Sequence, residues 1–465
     1  MPNKNFLIPV IVGLVLWFSP VPESLNSQSW HLFAIFIFTI LGIIMKPLPM
    51  GAIAMISIGL TTFTGTLTLP QALKGFSNGA IWLVLIAFFI ARGFIKTHLG
   101  TRIAYYFVYL FGKKTLGLAY SMVLSELILA PAVPSFTART GGIIYPIVNA
   151  LAQAFNSKPN DPTSKNLGAY LIQACFQSSV ILGAMFVTAM AGNPLVVALA
   201  ADAGVEITWG KWALAAIVPG MISLLIIPLI IYKIAPPRIK ETPDAKNLAK
   251  NKLKELGRVK TSEIIMLGVF IMLLVLWIFG EGFGINSVTT AFLGLSILLI
   301  CNVLTWEEIL EEKGAWNTFI WFSTLVTLGY ALNEHGLITY FSGQMSYVVE
   351  GMHWSLGLSI ICLVYFYTHY FFASNTAHIG AMYGVLLAVA IGLGAPAMLS
   401  ALILAFISNL FGGLTHYGNG PAPILYGAGY VKLKDWWITG LIVSFANILV
   451  WGGIGAAWWK FLGYW

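Results

Sequence analysis

Two short stretches hold the residues best suited to chemistry. Ser135-Phe136-Thr137-Ala138-Arg139-Thr140-Gly141 has a counterpart in Ser374-Asn375-Thr376-Ala377-His378-Ile379-Gly380. Each sets two hydroxyls two residues apart and a basic side chain four residues after the serine. Hydroxyls and amides donate to carboxylate oxygens without carrying charge, and a guanidinium or imidazole adds positive charge. That set suits recognition of a small anion. A second pair of landmarks follows in the same order, Thr188-Ala-Met-Ala-Gly-Asn193-Pro194 and Thr415-His-Tyr-Gly-Asn-Gly420-Pro421. The order repeats on either side of a basic linker near residue 248, as expected for an internal duplication.

The elements that must position these residues are membrane helices. Of 465 residues 58% are hydrophobic and 9% charged, with a mean hydropathy of +0.85. A soluble domain is about one quarter charged. Apolar runs such as WLVLIAFFIA, MISLLIIPLIIYKIA and IIMLGVFIMLLVLWIF approach the roughly 20 residues that span a bilayer, without the alternation of a membrane barrel. The fold class is therefore an all-α polytopic membrane protein. About eleven crossings are expected, near 5–20, 30–46, 49–65, 80–97, 168–201, 209–234, 262–280, 287–304, 316–333, 396–430 and 436–459. The first run follows only MPNKN, lacks a small-residue cleavage site and reads as a first span. Cys175, Cys301 and Cys362 are scattered, which suggests neither metal site nor disulfide frame.

The net charge of +8 does not point to nucleic acid, because the positive residues are sorted by loop. With a cytoplasmic N-terminus, the basic linker 234–260 falls inside together with Lys46, Lys113, Lys114, Lys158, Lys165, Lys432 and Lys434. The outer loops carry Glu23, Asp202, Glu206, Glu281, Glu334 and Glu350, with Lys74 and Lys211 as exceptions. That is the positive-inside pattern. The linker reads as an amphipathic connector, and the aromatic ends DWWITG and AAWWKFLGYW as interfacial anchors.

Each Ser-x-Thr tip lies between two short apolar arms, 117–133 with 138–155 and 355–373 with 376–393. Counting them as re-entrant hairpins keeps the basic loops on one side. Each repeat then has five crossings and one hairpin, and the odd number inverts the second repeat. Inverted repeats with broken helices describe a secondary transporter. AGNP and GNGP break helices near 190 and 419, which is tolerated at membrane depth only inside protein or beside a wet cavity. Helix starts at the two tips supply free N–H groups for an anion. The substrate-binding set is Ser135, Thr137, Arg139, Thr188, Asn193, Pro194, Ser374, Asn375, Thr376, His378, Gly420 and Pro421. A buried arginine needs a carboxylate. Glu126, thirteen residues back on the other arm, is the acid in the same hairpin, and pairing with it is the alternative to a role in binding. His378 and His416 have the corresponding alternative of packing as satisfied polar residues.

GFSNGAIWLV (75–84), both tips and SNLFGGLTHYGNGPAPILYGAGYVKLKDWW (408–437) resemble the divalent anion/sodium symporter family of dicarboxylate and citrate carriers. The Ser-x-Thr-Ala-Arg-x-Gly-Gly tip and GGLTHYG are similar to its exchanger branch of 2-oxoglutarate/malate translocators and citrate/succinate and tartrate/succinate antiporters. The resemblance implies an elevator: a dimeric scaffold (1–112 and 262–350) and a sliding transport domain (113–235 and 351–465), joined by the linker 236–261. In the sodium-coupled branch both tips read Ser-Asn-Thr and also help to hold sodium. Phe136 replaces the first Asn, which argues against that sodium site. Arg139 and His378 are then expected to replace sodium as fixed cations, making exchange obligatory because an empty carrier would move bare charge.

The expected function is sodium-independent exchange of C4/C5 dicarboxylates (2-oxoglutarate, malate, succinate or fumarate) across a bacterial plasma membrane, with no cofactor and no bound metal. A sodium-coupled di- or tricarboxylate symporter and a citrate/succinate antiporter are the nearest alternatives. GFSNG fits the G-x-S-x-G pattern of hydrolases, but that motif needs a strand–turn–helix, and here it opens a membrane span. A membrane-embedded transferase lacks HExxH, paired aspartates or a phosphate loop, and a channel would favour rings of charge or carbonyls. The expected partners are the dicarboxylate, the bilayer and a second copy of the chain.

Overall fold

The computed structural model describes residues 4–337, 340, 343 and 352–465; Glu350 and the domain boundary at 350 lie outside them. Every expected crossing coincides with helix. Among the described residues eight helices are long and apolar enough to cross a membrane, including Ser27–Met45, Gly79–Thr97, Trp209–Ile234 and Leu433–Phe461, and also Trp354–Phe371 and Asn375–Gly392, the two arms around the second tip. Shorter apolar helices such as Leu7–Phe18, Met50–Phe63 and Ser287–Ile300 supplement them. Caps set several of the boundaries: Asn26, Asn78, Thr208 and Asn286 each accept a backbone N–H from the first turn that follows.

Helices Met50–Phe63 and Ser287–Ile300 are equivalent across the duplication. The first packs on Lys313–Glu334 and the second on Gly79–Thr97, each helix meeting a member of the other repeat. Asn78-Gly-Ala-Ile-Trp82 matches Asn317-Thr-Phe-Ile-Trp321 at three positions. The GFSNG stretch is a packing device: a Cβ on Gly75 would lie 2.1 Å from Ser323 O. Only a glycine permits that approach of the turn Lys74–Ser77 to the helix Lys313–Glu334.

The four polar landmarks lie in two helical hairpins and two broken helices, and the arms of hairpin 2 are long enough to cross a membrane, against the short arms expected. Hairpin 1 descends through Thr115–Leu129, turns at Ala130–Phe136 and returns through Thr137–Ala154. Hairpin 2 descends through Trp354–Tyr367, turns at Thr368–Ser374 and returns through Asn375–Gly392. Pro131 and Pro134 remove donors and stop the first descent. Both return arms contain a π-helical stretch, Thr137–Ile144 and Ile379–Tyr383, a geometry that concentrates at functional sites. Broken helix 1 runs Gly168–Met185, unwinds, and resumes at Asn193–Asp202. Broken helix 2 runs Ala397–Leu410, unwinds through Gly418, and resumes at Ala422–Gly427.

The sorted loops gather at opposite ends. Linker atoms bond to two other basic loops: Thr242 N to Lys113 O at 2.8 Å and Arg238 N to Lys165 O at 3.0 Å. The linker helix Asp244–Glu255 lies on the amphipathic helix Leu99–Phe111, and Arg102 there holds Glu263 in a buried pair. At the other end Lys74 pairs with Glu334, and Asn333 Nδ2 donates to Asp202 O at 3.2 Å.

The anchor reading of the aromatic ends holds only in part. Trp436 and Trp459 are fully buried. Pro219 lacks the N–H that would bond Ala215 O, and Trp459 Nε1 takes that carbonyl at 2.9 Å. Trp459 thereby locks the C-terminal segment onto the proline-containing helix Trp209–Ile234, whereas Trp436 packs on Phe176 and Tyr426.

Asp202, the last residue of its helix and one beyond the expected crossing 168–201, has its carboxyl pushed up to about 7, chiefly by burial; Lys74 lowers it and Glu334 raises it. The folded state thus binds this proton more tightly than the unfolded chain, so stability falls as pH rises from the ordinary carboxylate range through about 7. Asp202→Asn should therefore melt higher than the parent above that pH, with the difference closing as the pH approaches 4, the usual carboxylate range. Melting temperatures of both proteins across this range check it.

Candidate functional site

The tips meet the helix breaks, so the four landmarks converge. Thr137 of tip 1 stands over Gly420 of break 2, where a Cβ would come within 2.3 Å of Thr137 Oγ1. Asn375 of tip 2 lies against Gly412, where a Cβ would be 2.8 Å from Asn375 Oδ1 and 3.0 Å from Asn419 Nδ2. Asn375 Nδ2 also reaches Met190 Sδ of break 1 at 4.0 Å.

The accessible rim of this junction is neutral. Thr137 and Gly420 are exposed, and Ser135, Ser374, Thr376 and Ala191 are half-buried. Ser135 Oγ accepts from Ala138 N at 3.2 Å and Ser374 Oγ from Ala377 N at 3.4 Å, so each serine caps its return arm. Asn375 is 4% exposed, and its Oδ1 has no partner among the described residues. A buried acceptor left unpaired is costly, which marks Asn375 as poised for a donor.

Arg139 corrects the expectation of a fixed cation facing the cavity. It is 0% exposed. Its Nε donates to Glu126 Oε1 at 2.9 Å, and its Nη1 bridges Val133 O at 2.7 Å and Ala189 O at 2.8 Å. The Thr140 and Ser179 hydroxyls converge on the same Glu126 oxygen, and Phe136 stacks 5.2 Å from the guanidinium carbon. The Glu126 alternative is the observed one. The arginine staples tip 1 to break 1, and its charge is matched by a carboxylate.

His378 departs from that expectation in its own way. Also 0% exposed, it bonds through Nδ1 to His369 Nδ1 at 3.0 Å and lies between Phe372 and Phe411, with ring centroids at 4.1 and 4.6 Å. Neither basic residue reaches the accessible face. The two repeats nevertheless keep one plan. Tyr365 precedes His378 by thirteen residues, as Glu126 precedes Arg139. Tyr365 OH bonds Ser408 as Glu126 bonds Ser179. Tyr365, Ser408, Ser179 and His369 escaped sequence reasoning, although the shared spacing of thirteen was a signal available for Tyr365.

Two other expected ligands are hydrogen-bonded within the protein, and two more are buried prolines. Thr188 Oγ1 donates to Pro131 O and accepts from Trp209 Nε1. Asn193 Nδ2 donates to Gly183 O at 2.8 Å and Phe186 O at 2.9 Å, and its Oδ1 accepts from Asn409 at 2.8 Å. It thereby caps the end of the helix half before it. Pro194 is buried in the first turn of the second half, and Pro421 is buried beside Gly420. His416 accepts from Trp437 Nε1 at 3.2 Å, at a distance in sequence from both tips. Among the described residues no cluster of His, Cys, Asp or Glu could hold a metal ion.

Comparison with known proteins matches residues 3–465 to the family described as Sodium:sulfate symporter transmembrane region. The chain belongs to the divalent anion/sodium symporter family. It is 56% identical to the putative malate transporter YflS of Bacillus subtilis over 460 residues, covering 99% of this chain and 96% of that one. It is 50% identical to dicarboxylate transporter 1, chloroplastic, of Arabidopsis thaliana over 465 residues, covering 99% and 84%. The fold is similar to the Alcanivorax borkumensis YdaH transporter, described as having an unusual topology, with TM-score 0.56 at 11% identity, covering 98% and 96%. This family member is thus a multi-pass membrane transporter and not an enzyme.

Proposed function

We propose that this transporter exchanges C4/C5 dicarboxylates without sodium by an elevator movement. Malate, 2-oxoglutarate, succinate and fumarate are the candidate substrates, and relatives called malate and dicarboxylate transporters support that class. One observation carries the sodium independence. In broken-helix transporters, carbonyls freed by unwinding coordinate the coupling ion. Here two such carbonyls, Val133 O and Ala189 O, are bonded by Arg139 Nη1. A tethered cation fills the position that an exchangeable one would need, and Glu126 balances it in every state of the cycle.

The substrate sits at the neutral rim, held by Ser135, Thr137, Ser374, Asn375 and Thr376 and by the N–H groups that start both return arms. Arg139 and His378 act from beneath as positioning residues. Because Glu126 balances Arg139, exchange is set by the charge of the substrate and not by that of the empty carrier. Without a coupling ion, net movement of a dianion against an inside-negative potential costs about 2.3 kcal/mol per charge per 100 mV. Swapping one dianion for another is electroneutral. Hairpins and broken helices form the moving unit, residues 113–235 and 351–465, against the scaffold 1–112 and 262–350 of a homodimer. The protein sits in the bacterial plasma membrane with its N-terminus and basic linker cytoplasmic.

Proteoliposomes preloaded with unlabelled malate should accumulate labelled malate far faster than empty vesicles. Equal uptake by empty vesicles would contradict exchange.

A further inference from the structure

Hairpin 2 and broken helix 2 contain an ionisable pair whose protons this reading leaves unused. From Met352 to Val431 the chain has no Asp, Glu, Lys or Arg, and four histidines, His353, His369, His378 and His416, are its ionisable cations. Two of them, His369 and His378, are fully buried beneath tip 2. His369 Nε2 lies 3.0 Å from Gly418 O, the carbonyl exposed by break 2. A carbonyl only accepts, so this nitrogen carries the His369 hydrogen and its Nδ1 presents a lone pair. The 3.0 Å contact between the Nδ1 atoms is then a bond only when His378 donates from Nδ1. His378 Nε2 is left as the basic nitrogen of the pair.

That nitrogen has room for a proton. It faces Thr368 Oγ1 at 3.2 Å and Met382 Sδ at 3.2 Å. Thr368 donates its own hydrogen to Val364 O at 2.7 Å, so its oxygen is free to accept. Tyr365 (bonded to Ser408), Phe372, Phe411 and the Gly418 carbonyl complete the surroundings. None of these neighbours is a carboxylate or a fixed cation. Repeat 1 balances its cation with Glu126; repeat 2 has Tyr365 at that position and offers no negative charge. The carboxylate that could balance a protonated His378 is the one a substrate brings to Ser374–Thr376. His378 lies one turn further along the same helix, its N–H bonded to Ser374 O at 3.1 Å.

We propose that the bound dicarboxylate carries one proton with it, taken from the loading side onto the His378 Nε2 lone pair and released to the other side with the substrate. His369 fixes the tautomer that leaves this nitrogen basic. No redox partner is needed: one N–H bond forms on loading and breaks on release. The inference rests on the dicarboxylate reading above. Like-for-like exchange moves one proton each way, so the proton is read in binding.

Calorimetric titration of malate into the purified protein at pH 7, in buffers of different ionisation enthalpy, reads it directly. The observed heat should vary with buffer with a slope of about one proton taken up, and affinity should weaken about tenfold per pH unit above neutrality. The slope should fall to near zero in His378→Gln and in His369→Gln. A wild-type slope of zero overturns the proposal, and so does a slope of one that survives both substitutions. If neither malate nor any other C4/C5 dicarboxylate produces heat, the substrate class itself fails.

Discussion

Replacing Arg139 with glutamine should reduce exchange to background and sharply destabilise the protein. The guanidinium makes three bonds at once, to Glu126, Val133 O and Ala189 O, and no amide spans them. Glu126, 1% exposed, would keep only the Thr140 and Ser179 hydroxyls. Breaking a buried ion pair from one side costs about 3–5 kcal/mol, because the remaining charge stays desolvated. Glu126→Gln should cost a similar amount for the same reason. The double variant Arg139→Gln/Glu126→Gln should recover much of the stability while remaining inactive, because the two carbonyls at tip and break are still unbridged. Thermal unfolding in detergent, together with counterflow in proteoliposomes, separates the two effects. A single Arg139→Gln protein that exchanges at the parent rate would remove the staple from the mechanism. A double variant no more stable than either single one would show that charge balance is not what holds the pair.

Asn193→Ala should be the most damaging polar truncation among the other landmark residues. One side chain closes break 1: it bonds the Gly183 and Phe186 carbonyls, which the end of a helix leaves without intrahelical partners. It also receives Asn409 from broken helix 2. Truncation strands two acceptors and a donor in a dry interior, at about 1–3 kcal/mol for each. The loss should appear as a lower melting temperature without substrate present. A variant as stable as the parent, but with weakened substrate affinity, would instead return Asn193 to the role of ligand.

The sequence carried the architecture further than the site. Spans, hairpins and breaks were legible because bilayer thickness, loop charge and helix-breaking residues leave strong local marks. The paired tips were legible through Ser135/Ser374 and Thr137/Thr376. What one tip faces is set by elements tens of residues away. Glu126 and Arg139 were both visible, but spacing alone does not settle whether two arms of a hairpin place them in contact. His369 sits in a run of aromatics, THYFF, and reads there as packing; the carbonyl of Gly418 makes it a defined donor. Asn193 looked like a ligand because it sits in a helix break, but the break itself creates the orphan carbonyls that occupy it. The tryptophan pairs at the C-terminus misled for a related reason. Amphipathic aromatics suit a membrane interface, yet the freed carbonyl at Pro219 drew Trp459 inward.

The central claim is that a tethered guanidinium permanently fills the cation position between tip 1 and break 1. Its most direct test is the initial rate of malate exchange in preloaded proteoliposomes, measured with sodium on both sides and again with sodium fully replaced by choline. Equal rates are expected, since Val133 O and Ala189 O are already occupied. Exchange that disappears in choline and returns as sodium is restored would contradict it.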